Sequence, residues 1–246
     1  MLQGSDILNN YSEFLKCVSA KTKTLYNTDK YYESFVTPDF FWPNLTFISA
    51  IPDDDPDVVS LFERIPAGTT IFVQNSNFEV PSSIRIKPFD KWTNMWIDIS
   101  KREIFPFSGF RVQQVSWVDS ESISKCEKLI SQNLFSGRSI NLEKWATNGN
   151  SIINAISIYA LHDSENNIVS TLIGFSGSTF FGIYFVATET NSQGRGYGYS
   201  LINSVLQEAY NKNYQYCVLS STRAGLKLYK KVGFTEAGEI ILYYKF

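Results

Sequence analysis

Gln193-Gly194-Arg195-Gly196-Tyr197-Gly198 follows the apolar run Gly182-Ile183-Tyr184-Phe185-Val186-Ala187-Thr188 and opens onto a helix-like run from Tyr199 to Lys212. The order strand, glycine-rich turn, helix leaves several N–H groups at the helix start without a carbonyl partner. Those donors, with the positive end of the helix dipole, form a site for an anion such as a phosphate. Glycine at alternate positions lets the backbone approach a ligand where a Cβ would collide. Spacing excludes two nucleotide loops. The dinucleotide fingerprint needs a third glycine where this chain has Tyr199, and an acidic residue roughly 20 positions later. The triphosphate loop ends in Gly-Lys-Ser/Thr, and the first lysine after Gly198 is Lys212.

A second stretch stands downstream: Ser220-Ser221-Thr222-Arg223-Ala224-Gly225-Leu226-Lys227-Leu228-Tyr229-Lys230-Lys231-Val232-Gly233-Phe234. The strand-like run Tyr216-Cys217-Val218-Leu219 precedes it. Thr222 is placed to cap a short helix, and Gly233 lies just past its end, where a left-handed residue stops a helix. The two stretches, in this order and one helix and one strand apart, resemble the signatures Q/R-x-x-G-x-G/A and G/A-x-x-L-Y-x-x-x-G-F. These belong to the GNAT (Gcn5-related N-acetyltransferase) superfamily.

That resemblance implies an α+β fold over about residues 110 to 246, a central mixed, mostly antiparallel sheet flanked by helices. It implies acetyl-CoA as co-substrate, with its pyrophosphate on Gln193, Gly194, Arg195, Gly196, Tyr197, Gly198 and Tyr199. The backbone N–H beside the thioester carbonyl maps to Val186, Ala187 and Thr188, on a strand that a bulge splays from its neighbour. Tyr229 stands at the family's usual proton donor for the departing thiolate; a helix tyrosine closing the core is the other reading. Glu189 directly follows the cradle strand, as acceptor of the amine proton or as a solvated loop charge. Where many relatives have proline next, this chain has Thr190. The loop Leu134 to Asn150 corresponds to the region used for the acceptor, a small-molecule or peptide amine. A domain that only binds coenzyme A as a sensor or scaffold, and an acyltransferase with another acyl group or acceptor, are the alternatives.

Composition agrees with a globular enzyme. The 246 residues are 43% hydrophobic and 15% aromatic, with 19 Phe and 14 Tyr scattered without a repeat. No run approaches the ~18 apolar residues of a membrane span, and the start Met-Leu-Gln-Gly-Ser-Asp lacks the basic, apolar character of a secretory signal. Cys17, Cys126 and Cys217 are an odd, widely spaced set, read as free thiols of a reducing cytoplasm and without metal-ligand spacing. His162 is the single histidine, which speaks against serine triads and histidine metal sites. Net charge is −2, and a pI of 5.5 without a dense basic patch speaks against nucleic acid.

Within residues 110 to 246 the pattern predicts an opening strand over Arg111 to Val118 and a helix to about Asn133 capped by Ser120 or Ser122. A short helix at Leu142 to Ala146 comes next. Strands over Ile152 to Leu161, Ile168 to Phe175 and Phe181 to Thr188 follow, with a last strand over Glu239 to Phe246. Arg223, Lys227, Lys230 and Lys231 are a solvated helix face or lie near the cofactor's outer phosphates.

Division into two domains is expected near Ile104 to Phe110, as residues 1–105 and 110–246. Residues 1–110 carry 10 Lys and Arg against 14 Asp and Glu, residues 111–246 12 against 10. The first half reads as helices near Asp6 to Val18 and Asp57 to Arg64 and strands near Leu45 to Ala50, Thr69 to Gln74 and Met95 to Ile99. It lacks both motifs; because some GNAT proteins carry a degenerate copy of the fold ahead of the active one, the resemblance implies such a copy here, without a cofactor pocket. Phe40-Phe41-Trp42-Pro43-Asn44 reads as packing, and Asp53-Asp54-Asp55, without a calcium-loop frame, as a solvated loop.

Overall fold

A computed structural model describes residues 2–19, 25–28, 32–37, 44–48, 58–74, 80, 83–101, 109–146 and 154–246. The dividing loop at 104–108, the aromatic cluster at 40–43, the aspartate run at 53–55, and residues 147–153 lie outside them. The first half contains α1 (Gly4–Ser19), β1 (Leu25–Thr28), β2 (Tyr32–Val36), β3 (Asn44–Ile48), α2 (Val58–Arg64), β4 (Thr70–Val73) and β5 (Ile86–Asp98). The second contains β6 (Arg111–Val115), α3 (Ser120–Leu134), α4 (Leu142–Ala146), β7 (Ile156–His162), β8 (Ile168–Ser176) and β9 (Phe181–Thr188). A 3-10 turn (Thr190–Ser192), α5 (Tyr197–Asn211), β10 (Tyr216–Ser221), α6 (Leu226–Val232) and β11 (Thr235–Lys245) complete it.

The eleven strands of the described residues form one sheet in the order β1-β2-β3-β4-β11-β5-β10-β9-β8-β7-β6. The element order of the first half repeats that of the second. β1-β2-β3 is an antiparallel meander, and a crossover through α2 leads to β4, parallel to β3. β7-β8-β9 is likewise a meander, and a crossover through α5 leads to β10, parallel to β9. The strand that closes each half then pairs with the other half: β5 lies on β10, and β11 on β4. β5 and β11 also pair with one another at the centre. The sheet therefore has no seam between residues 1–105 and 110–246.

Side-chain alternation sends neighbouring residues of a strand to opposite faces. Phe47, Phe72 and Tyr184 join the core beneath α1, α3 and α4, while Ile183, Leu219 and Met95 join that beneath α5 and α6. Ile48, Ile71 and Val73 pack on α2. On α1 the residues Ile7, Leu8, Tyr11, Phe14, Leu15 and Val18 recur at helical spacing and are all buried. From the last turn of β11, Lys245 Nζ donates to the carbonyls of Phe62 (2.6 Å), Glu63 (3.1 Å) and Ile65 (2.5 Å). A cation there satisfies acceptors that a helix C-terminus leaves open, so the second half clasps the first.

Several predicted elements shift. The cap of α3 is Asp119, not Ser120 or Ser122: its carboxylate accepts from the Ser122 N–H at 3.0 Å. β6 stops at Val115, because the chain turns through an Asp119 N–H to Ser116 O bond. β11 begins at Thr235 rather than Glu239. β5 extends far beyond Met95–Ile99, to 13 residues. Its first part (Lys87, Pro88, Asp90, Lys91) is exposed and polar and so carries no burial signal, and Pro88 sits at a register shift against β11, where a missing donor is tolerated. β1 and β2, of four and five residues, are too short to show a period.

Candidate active site

β9 and β10 register only at Phe181–Cys217 and Gly182–Val218, although β9 runs on to Thr188. Against β8, Ile173 faces Tyr184 and Thr171 faces Ala187. Phe185 and Val186 thus oppose the single residue Leu172, with Phe185 at φ 51°. This is a β-bulge, which bends its strand and increases the local twist. Past Gly182 β9 no longer pairs with β10, and beyond the bulge the gap between the two parallel strands, the slot, is flanked on the β9 side by Val186, Ala187 and Thr188. That end is held from β8: Ser170 Oγ donates to Ala187 O at 3.1 Å and lies 2.8 Å from Thr188 Oγ1.

The slot opens onto the start of α5. Gln193 Nε2 donates to Thr188 O at 3.1 Å, tying the loop to the strand. Gly194 and Gly196 have φ of 78° and 88°, and Gly196 occupies the cap position of α5, where no side chain caps the helix. The space beside both glycines is open; their left-handed backbone, not crowding, requires glycine. Gly198 differs, since a Cβ there would stand 3.3 Å from Leu228 Cδ2 and 3.4 Å from Thr188 Oγ1. An uncapped 15-residue helix beside a slot between strands suits a diphosphate that continues into a narrow chain. Of the predicted cradle residues, Tyr197 and Tyr199 are half-buried. Tyr197 packs its ring on Phe110, and Tyr199 lies under Lys231 Nζ at 5.2 Å. Arg195 is exposed.

The second motif forms β10 and α6. Thr222 does not cap α6, which begins at Leu226; its Oγ1 and carbonyl both accept from the Gly225 N–H, at 3.4 and 3.1 Å, closing a turn ahead of the helix. At the far end Gly233 (φ 108°) and Phe234 donate to the Lys230 and Tyr229 carbonyls, each at 3.0 Å. The Tyr229 and Phe234 rings lie 5.9 Å apart, the apolar contact that accompanies this helix stop. Tyr229 is 9% exposed, its ring lies against Gly225, and its hydroxyl makes no hydrogen bond among the described residues. Burial pushes its phenol well above the ordinary value. Lys230 pairs with Glu236, while Arg223 and Lys227 are exposed and unpaired among the described residues.

Glu189 is exposed at the mouth of the slot, with Oε2 accepting from Ser192 Oγ at 3.0 Å. Its carboxylate is therefore turned onto the 3-10 turn. Ahead of α4, Glu127 accepts from the Asn141 and Leu142 N–H groups at 2.9 and 3.0 Å, which fixes the start of that helix. Phe185 and Ser170 escaped the sequence reading: a bulge has no composition signal inside an apolar run, and a buried strand serine looks like any other. Among the described residues no cluster of acidic residues, cysteine and histidine could hold a metal ion. None of their helices is long and apolar enough to cross a membrane.

Residues 142–242 match the family model described as an acetyltransferase (GNAT) domain. No curated protein matches the sequence. Among solved structures, a GCN5-related N-acetyltransferase from Kribbella flavida superposes with a TM-score of 0.68 at 10% identity, over 97% of this chain and 95% of that one. A GNAT-family protein from Novosphingobium aromaticivorans DSM 12444 gives 0.62 at 12% identity, over 98% and 96%. A GCN5-related N-acetyltransferase-like protein from Streptococcus suis 89/1591 gives 0.55 at 12% identity, over 98% and 99%. The fold is that of these GNAT structures, and residues 142–242 are similar to the GNAT domain.

Proposed function

We propose that the protein is an N-acetyltransferase, moving the acetyl group of acetyl-CoA to a primary amine of a small molecule or peptide by direct attack, both substrates bound together. The observation that carries this reading is the slot: two parallel strands that stop pairing at Gly182, with a bulge at Phe185 and Val186, ending at an uncapped helix with left-handed glycines. The first-turn N–H groups of α5 hold the pyrophosphate, with Gln193 setting the loop. Val186, Ala187 and Thr188 present backbone donors to the thioester oxygen, where negative charge develops as the amine attacks. Tyr229, kept protonated by burial, donates to the departing sulfur. Glu189 takes the amine proton through water, since its carboxylate already binds Ser192.

The first half reads as a degenerate copy of the same fold. Its β3 and β4 pair at four consecutive positions, Leu45–Ile48 with Thr70–Val73, and β2 and β3 pair without a register shift. Its β2, β3 and β4 thus show neither the bulge nor the parting that make a slot. The three unpaired cysteines suit a reducing compartment, the cytoplasm. The test is the full chain with acetyl-CoA and a panel of amines, read by mass for a gained acetyl group and by calorimetry for cofactor binding. Acetylation of at least one amine is expected. Absence of any acetyl-CoA binding would overturn the reading, and binding without transfer would leave a coenzyme A-binding module.

A further inference from the structure

The half without a slot reaches the slot through α1. Asn10 is 2% exposed. Its Nδ2 donates to Phe180 O at 2.9 Å, and its Oδ1 accepts from the Tyr184 hydroxyl at 2.6 Å. One amide thus grips β9 on both sides of Phe181 and Gly182, the only β9 residues that register with β10. A Cβ on Gly177 or Gly182 would collide with Asn10, so two glycines of the second half make room for a side chain of the first. Tyr184 is the last residue before the bulge. Its ring folds back over Gly182 and stacks on both Tyr11 and Phe14 of α1, at 5.0 and 4.5 Å.

We propose that Asn10 is a positioning residue for the acyl slot: by fixing Tyr184 it sets where β9 leaves β10, and so where the donors of Val186 and Ala187 stand. The proposal rests on the acetyltransferase reading. The donors act on charge that develops during transfer, whereas affinity for coenzyme A is set at α5. A misplacement of about 1 Å at reacting groups costs up to ~10²-fold, so a slackened anchor lowers kcat rather than binding.

The experiment compares Asn10→Ala, Tyr184→Phe, the double variant and Glu13→Gln in the full chain. Glu13 joins the same helix to Ser178, accepting from its N–H at 3.0 Å and its Oγ at 2.5 Å, away from the bulge. The expected result is a kcat per folded molecule lowered about tenfold in both singles, with affinity for free coenzyme A at its wild-type value. The double variant should be no worse than the worse single, because both act through one bond. Glu13→Gln should lower the melting temperature and leave kcat unchanged. Unchanged kcat in the two singles, or an equal kcat loss in Glu13→Gln, overturns the proposal. If the wild-type chain acetylates no amine, the functional reading fails by itself, and amide exchange over residues 183–188 decides the positional claim. Faster exchange in Tyr184→Phe but not in Glu13→Gln upholds it, and equal exchange in the two refutes it.

Discussion

Excising residues 1–105 should abolish folding of the remainder, although residues 110–246 hold both motifs. The cut removes β5 from between β10 and β11, where it registers with six residues of one and nine of the other. It leaves the inner edge of β10 without its partner strand. It also strips α1 from a face where Phe14 touches the rings of Trp145, Phe175, Tyr184 and Phe185. At about 1.5–3 kcal/mol for each large apolar side chain returned to water, those four rings alone lose roughly 6–12 kcal/mol. This is an upper figure, because unfolded chains bury some surface. Whole domains are stable by only ~5–15 kcal/mol. The fragment should therefore show no cooperative melt by circular dichroism and few dispersed amide resonances. Co-expression with residues 1–105 should restore both, since each half then recovers the strand it takes from the other. A fragment that melts cooperatively alone and binds coenzyme A would refute the reasoning, and β5 would be an accessory to a self-sufficient domain.

Tyr229→Phe should leave the melting temperature near wild type, because the lost hydroxyl has no partner among the described residues. Turnover with a reactive amine should fall ~10²–10⁴-fold, and near-normal turnover would return Tyr229 to its role beside Phe234. Gly196→Val forces a β-branched residue to φ 88°, straining the cap by about 1–2 kcal/mol. Acetyl-CoA affinity by calorimetry should weaken at least about tenfold, while the open space around the residue preserves the fold. The Ser122 N–H holds the Asp119 carboxyl below its ordinary range. The stability it lends to α3 is thus present above the unfolded carboxyl value of ~3.9 and fades as pH falls through the lower folded value. Asp119→Asn should flatten that part of a melting-temperature profile, and an unchanged acid slope would place the titration elsewhere.

What the sequence makes legible follows from the range of the interactions. Gln193 to Gly198 and Gly225 to Phe234 were readable because left-handed glycines, an uncapped helix start and a helix stop are local, each decided within about six residues. Tyr229 illustrates the limit: one residue serves the helix stop and stands as candidate donor, and the pattern L-Y-x-x-x-G-F is common to both. The bulge that the resemblance implies on this strand falls at Phe185 and Val186; its place is set by pairing with β8, which no window along the chain reports. β5 was read as five residues because tertiary pairing, not burial, stabilises its exposed start. The division near residue 105 marks a real change of charge, yet charge belongs to surfaces, and the sheet beneath runs through it.

The exchanged strands bear on why a half without a slot persists. A degenerate copy joined only by a linker would be removable, and its loss would cost the site nothing. Here β11 of the second half lies between β4 and β5 of the first, so each half's sheet is completed by the other. Lys245 at the end of β11 is bonded to three carbonyls of the first half. Asn10 at the start of the chain is bonded to the strand that forms the slot. Packed interiors transmit displacement rather than absorb it. A change at Asn10, Tyr11 or Phe14 of α1 is therefore felt at Tyr184, the residue before the bulge. The first half thus forms part of the second half's core.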